Sequence, residues 1–152
     1  VYATEDIATA DGTVVIKKGD TLKDSEGNDL TLTVYIGVKG DANLDGKVGS
    51  NDASCILVWY SNMSTGANPA ETTFSTSELV KDDALLDEFA AFLSDVNNEN
   101  DENNFSETKG DRQLLATDAT FILTMYSKAS TGAEMDRDTW NEVLGDTYAK
   151  KD

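Results

Sequence analysis

Four oxygen-bearing side chains, Asp41, Asn43, Asp45 and Asp52, fall within the stretch GDANLDGKVGSNDA at residues 40–53, with Gly46 at its centre. Counted from Asp41, the stretch puts side-chain oxygens at positions 1, 3, 5 and 12 of a loop, a backbone carbonyl at position 7 and glycine at position 6, where the chain must turn sharply. Hard oxygen donors at this spacing suit Ca²⁺. Carboxylates held within a few ångströms repel one another when no cation is present, so ion binding is expected to order the loop and the helix behind it. The expected ligands are the side chains of Asp41, Asn43 and Asp45, the carbonyl of Lys47, and Asp52 as a bidentate last ligand. Gly49 at position 9 has no side chain and leaves that place to a water, while Val48 at position 8 turns inward. The competing reading is an acidic surface turn that binds nothing, and it has to explain why every position of the loop pattern is met.

A repeat supplies the second half of this chemistry. Asp52 begins DASCILVWYSNMSTGA and Asp118 begins DATFILTMYSKASTGA, identical at ten of sixteen positions. Counting back from Asp118 puts Leu114 at position 8, opposite Val48, but position 1 then falls on Glu107 and no D-x-N-x-D precedes it. Further upstream, DVNNE at residues 95–99 offers Asp95, Asn97 and Glu99 at positions 1, 3 and 5. An insertion of about 13 residues separates them from Gln113, whose carbonyl takes position 7, and from Asp118 at position 12; closing the longer loop costs little more than closing the short one. Asp101 competes with Glu99 as a ligand. The alternative here is an acidic linker without an ion.

The elements that must position these loops can be read from periodicity. In each repeat an apolar ladder has helical spacing, Ile56, Trp59, Tyr60 and Met63 in the first and Ile122, Met125, Tyr126 and Ala129 in the second. Each helix is expected to end at Ser-Thr-Gly, the glycine serving as a left-handed cap. Between them, Ser75 and Glu78 make a capping box ahead of a helix with Leu79, Leu86, Ala90 and Leu93 on one face, flanked by Leu85, Phe89 and Phe92, and stopping at Ser94-Asp95. The segment DRDTWNEVLGD reads as an amphipathic turn of helix carrying Trp140, Val143 and Leu144, with Trp140 expected to pack, the alternative being a role in sugar stacking. Residues 1–39 read as strands: TVVI at 13–16, a polar turn KDSEGND, and LTLTVYIGV at 30–38. These strands bury too little to stand alone, so they are either the end of a larger β module or an integral part of this fold. Insertions at 65–94 and 100–112 are ballast, partner contact or buttress. Their apolar residues favour buttressing.

Composition narrows the function. Twelve basic residues against 29 acidic ones give a net charge of −17, which argues against nucleic acid and anionic membranes and for cations or basic partners. With no histidine and one cysteine, Cys55, the chain has no His or Cys metal site, no Ser-His-Asp or Cys-His nucleophile and no internal disulfide. No apolar run of about 18 residues and no basic segment leading into an apolar one occurs, so neither a membrane span nor a signal peptide is expected within this sequence.

Two such loops, each ending in Asp and each followed by one helix, resemble those of a dockerin, the module that plugs cellulosomal proteins into cohesins. The resemblance covers residues 40 to about 130 and rests on GDANLDGKVGSNDA, on the repeat and on AFLSDV at 91–96. The split second loop is similar to those of insertion-bearing dockerins from ruminal cellulosomes. VYIGVKGD resembles the end of an Ig-like X module, which precedes the dockerin in some scaffoldins and surface adhesins. The resemblance implies an α+β chain, a mainly helical dockerin over 40–152 after X-module strands over 1–39. It also implies two Ca²⁺, one-to-one high-affinity cohesin binding without catalysis, no membrane insertion, and a place outside the cell at the bacterial surface in polysaccharide breakdown. Carried over residue by residue, the cohesin-facing positions are Ser50, Asn51, Leu57, Val58 and Asn62, with Ala116, Thr117, Leu123, Thr124 and Lys128 in the second copy. Leu57 and Val58 are independently notable, because they lie opposite the apolar ladder; either a partner covers them or the inserted helix and N-terminal strands do. The two copies differ at these positions, so a single binding orientation is expected. A calcium sensor would carry Glu at position 12 and a helix before each loop. A carbohydrate-binding module and an enzyme are the remaining rivals.

Overall fold

The computed structural model describes residues 2–4, 22–23, 26, 29–30, 35–97 and 107–148. The chain is mainly helical, with short strands at its start. Strand β1 (Tyr2–Thr4) pairs in parallel with β4 (Tyr35–Gly37), and β2 (Leu22–Lys23) pairs antiparallel with β3 (Asp29–Leu30) around the polar turn at Glu26. The expected strand at 13–16 and the middle of the one at 30–38 lie outside the described residues. Helix α1 (Ser50–Ser64) and helix α3 (Ala116–Ser130) carry the repeat and pack on one another, with α2 (Ala84–Ser94) between them in sequence and α4 (Arg137–Tyr148) against α3.

The repeat helices end as the sequence predicts. Gly66 and Gly132 have φ of 86° and 96°, and the amides of Gly66 and Ala67 donate to Met63 and Asn62 while those of Gly132 and Ala133 donate to Ala129 and Lys128. Left-handed glycines thus satisfy carbonyls that the helix itself leaves open. Ile56, Trp59, Ile122 and Met125 are buried in the shared core, and Met63 packs on it. Tyr60 and Tyr126 are corrections: both are exposed, at 43% and 44%, because the stripe each helix buries is narrow and centres on Ala53, Ile56 and Trp59 or their counterparts.

The inserted helix begins later than expected. Ser75 and Glu78 form no capping box. A 3₁₀ turn at Glu78–Val80 is capped by Ser77, and α2 is capped by Asp83, whose carboxylate accepts from Leu85 and Leu86 N–H. Leu79, in the 3₁₀ turn, and Leu85, in the first turn of α2, are both exposed. The rest of the apolar face does buttress: Phe89, Phe92 and Leu93 form a cluster with Tyr35 of β4 packed against it, and the Gly40 N–H donates to the Leu93 carbonyl at 2.7 Å. The two insertions also meet, since a Cβ on Gly110 would lie 2.9 Å from Pro69.

Trp140, 2% exposed, closes the other side of the β4-to-loop junction. Gly40 has φ of 91°, and a Cβ there would lie 3.1 Å from the indole. Gly40→Ala is therefore expected to cost about 1–3 kcal/mol from combined backbone strain and overpacking, read as a lower denaturant midpoint with altered tryptophan fluorescence.

Candidate functional site

The first loop is wound around two buried carboxylates. Asp52, in the first turn of α1 and 1% exposed, accepts the N–H groups of Ala42 (2.8 Å) and Asn43 (3.0 Å) on one oxygen and of Gly49 (2.7 Å) on the other. Asp41, 3% exposed, accepts the N–H of Asp45 at 3.0 Å and of Gly46 at 2.8 Å. Gly46, with φ of 81°, takes the left-handed turn that aims its amide inward. Asn43 Oδ1 accepts from Asp45 N–H and Asp45 Oδ1 from Lys47 N–H, so successive side chains of the loop pattern are aligned along the turn. Asp45 and Lys47 stand at the exposed rim.

Burial, above all, pushes Asp41 up to about 6 despite its two amide donors, and the charges of Asp52 and Asp45 add to the rise. Asp52 is raised for the same leading reason. No Lys or Arg among the described residues forms an ion pair with either one. Two buried carboxylates thus stand beside the further oxygen donors Asn43 and Asp45 with no basic side chain among the described residues paired to them, an arrangement that is costly unless its charge is balanced.

The second loop repeats the wiring across its insertion. Asp118, fully buried at the start of α3, accepts from Val96 N–H at 3.1 Å and from Leu115 N–H at 2.9 Å, as well as from the Asn97 backbone. Val96 and Asn97 thus stand where Ala42 and Asn43 stand in the first loop, and Leu115 where Gly49 stands. By the same correspondence Asp95, 7% exposed, matches Asp41. Val48 and Leu114 lie in one core cluster, as their shared loop position predicts. Burial, foremost, raises Asp118 to about 6, and the Asp95 charge adds to it. The structure therefore brings Asp95, Asn97 and Asp118 together, with Gln113 on the exposed approach to α3; Glu99 and Asp101 lie outside the described residues. Among the described residues no group of three or more His, Cys, Asp or Glu side chains is gathered as a metal cluster.

Sequence reasoning missed the supports of these loops. Ser75 Oγ donates to the Ala42 carbonyl at 2.6 Å. Asp87 of α2 accepts from the N–H groups of Phe74 and Ser75 and from Lys109 Nζ at 2.6 Å, and Lys109 also lies over the Trp59 ring. Both insertions are thereby tied to the back of the first loop. Arg112, its side chain buried, reaches Asp95 and Glu107. The one available signal was its place in the second loop, where the first has Gly46.

The proposed partner residues share an outer surface on each repeat helix. Leu57, Val58 and Leu123 are 44%, 59% and 42% exposed, Ser50, Asn51, Ala116, Thr117 and Thr124 are also exposed, and Asn62 and Lys128 are half-buried. Neither α2 nor the described strand residues cover Leu57 and Val58. Lys128 is held by Glu142 of α4 at 2.7 Å. No helix among the described residues is long and apolar enough to cross a membrane. No family model matches the chain, and no curated protein matches it.

Proposed function

We propose that this chain is a calcium-dependent docking module of the dockerin kind. It binds one cohesin without doing chemistry and joins its parent protein to a polysaccharide-degrading assembly outside the cell, at the bacterial surface. The observation that carries the reading is the equivalent amide wiring of Asp52 and Asp118, two buried acids that each begin a helix bearing exposed apolar residues. Ca²⁺ at each loop, held by Asp41, Asn43, Asp45, Lys47 and Asp52 in the first and by Asp95, Asn97, Glu99, Gln113 and Asp118 in the second, would balance that charge and fix the helix directions. A second reading, a calcium-stabilised structural or carbohydrate-adhesion module, draws on the exposed Tyr60 and Tyr126, since aromatic rings stack on sugars.

Calorimetric titration of the chain into cohesins from ruminal cellulosomes tests this directly. Tight one-to-one binding in millimolar Ca²⁺ that vanishes with chelator is the expected result. Binding to cellulose and to no cohesin would favour the second reading. Because Leu57-Val58 faces out on one helix and Leu123-Thr124 on the other, a single orientation is expected. Leu57→Glu should then weaken binding on the order of thirtyfold or more, as loss of a central apolar anchor does, while Leu123→Glu differs clearly from it. Equal tolerance of each change alone would mean two interchangeable orientations.

A further inference from the structure

We infer that Arg112 is the resident counter-ion of the second loop and makes that loop the weaker of the two ion sites, an inference that rests on the calcium reading above. With Gln113 at position 7, Arg112 occupies position 6, which in the first loop is Gly46. There, the position 6 amide donates to the position 1 carboxylate, Gly46 N–H to Asp41 Oδ2 at 2.8 Å. In the second loop, position 6 meets the matching carboxylate through its side chain, with Arg112 Nη1 3.7 Å from Asp95 Oδ2. The same nitrogen is 3.8 Å from Glu107 Oε2, and Nη2 donates to the Glu107 carbonyl at 3.1 Å. The guanidinium also lies over the Phe92 ring, 5.3 Å from its centre.

The Arg112 side chain has no exposed surface, and Asp95 has 2% of its side chain exposed, so solvent screens this pair little. A guanidinium stays protonated at any pH at which the protein folds. The second loop therefore carries a fixed positive charge beside its first ligand. A divalent ion entering there must share Asp95 with that charge or displace it. Among the described residues the first loop has no such counter-ion: Lys47, its one basic residue, is exposed at the rim. One loop depends on Ca²⁺ for its charge balance, and the other is partly balanced by the protein.

Calcium titration of the full chain by calorimetry, for the wild type, Asp41→Ala and Arg112→Met, decides this. Two steps are expected in the wild type, with dissociation constants separated on the order of tenfold or more. Asp41→Ala should remove the tighter step, and Arg112→Met should tighten the weaker step on the order of tenfold while leaving the other unchanged. Equal wild-type affinities, loss of the weaker step in Asp41→Ala, or a weaker second step in Arg112→Met would each overturn the inference while leaving calcium binding intact. No calcium binding at all would overturn the calcium reading and the inference with it. If Arg112→Met fails to fold, the wild type and Asp41→Ala still decide the order of the sites.

Discussion

Asp52→Ala is expected to destabilise the protein by about 3 kcal/mol even with calcium withdrawn, because the carboxylate is the knot of the first loop as well as a candidate ligand. Its two oxygens take the N–H groups of Ala42, Asn43 and Gly49, closing the loop's beginning onto its end. Alanine would leave those donors in a site where Asp52 is 1% exposed. Each orphaned buried donor costs about 1–3 kcal/mol. Part of that loss is offset, since burial also disfavours the Asp52 charge, as its raised pKa records. Asp45→Ala is the control: Asp45 is exposed at the rim, so its removal should cost under about 1 kcal/mol without the ion. In saturating calcium both variants should fall further behind the wild type, by the stabilisation that the ion confers on the native state alone. Urea unfolding followed by the fluorescence of Trp59 and Trp140, with and without chelator, measures all four differences. If Asp52→Ala were no more damaging than Asp45→Ala in chelator, the amide knot would not be what holds the loop.

The turn of the first loop and the two repeat helices were legible in the sequence because their determinants are local. Oxygen donors at alternate positions, a glycine at the turn and an apolar ladder after Asp52 or Asp118 all lie within one loop and one helix. What could not be read were choices made by distant partners. Ser75 looked like a helix cap, but its hydroxyl is taken by the Ala42 carbonyl, 33 positions away in sequence, while Ser77 and Asp83 cap the local turns instead. Tyr60 and Tyr126 matched the core spacing, yet each repeat helix is buried along a stripe too narrow to include them. Leu79 lies in the 3₁₀ turn before the helix and Leu85 in the helix's first turn, ahead of the buried stretch that begins at Asp87, so both stay exposed. Lys109 and Arg112 carry no local pattern that names a partner, and only the fold reveals that one reaches Asp87 and the other Asp95.

Without calcium, the protein is expected to become more stable as the pH is lowered from 7 toward 4, the reverse of ordinary acid denaturation. Asp41 and Asp118 are each raised from 3.8 to about 6, burial being the largest cause in both. Between those values the folded state holds protons that the unfolded state has lost, so stability rises as the pH falls through about 6 and the gain is complete below about 3.8. Each group contributes at most about 3 kcal/mol, and Asp52, raised as well, acts in the same direction. Relief of self-repulsion in a chain of net charge −17 adds to the trend. Asp111 and Asp136 oppose it only at lower pH: hydrogen bonds from Thr108 and Thr139 hold them below the ordinary value, so their contribution is lost as the pH falls through 3.8 and beyond. Saturating calcium should invert the slope, because the ion binds the deprotonated carboxylates and protons then compete with it. Urea midpoints at pH 7, 5.5 and 4.5 in calcium-free and calcium-containing buffer should therefore converge as the pH falls. A calcium-free protein that instead weakened steadily from pH 7 to 4.5 would mean that Asp41 and Asp118 are stably ionised in the fold, and that the charge invoked for cation binding is already balanced from within.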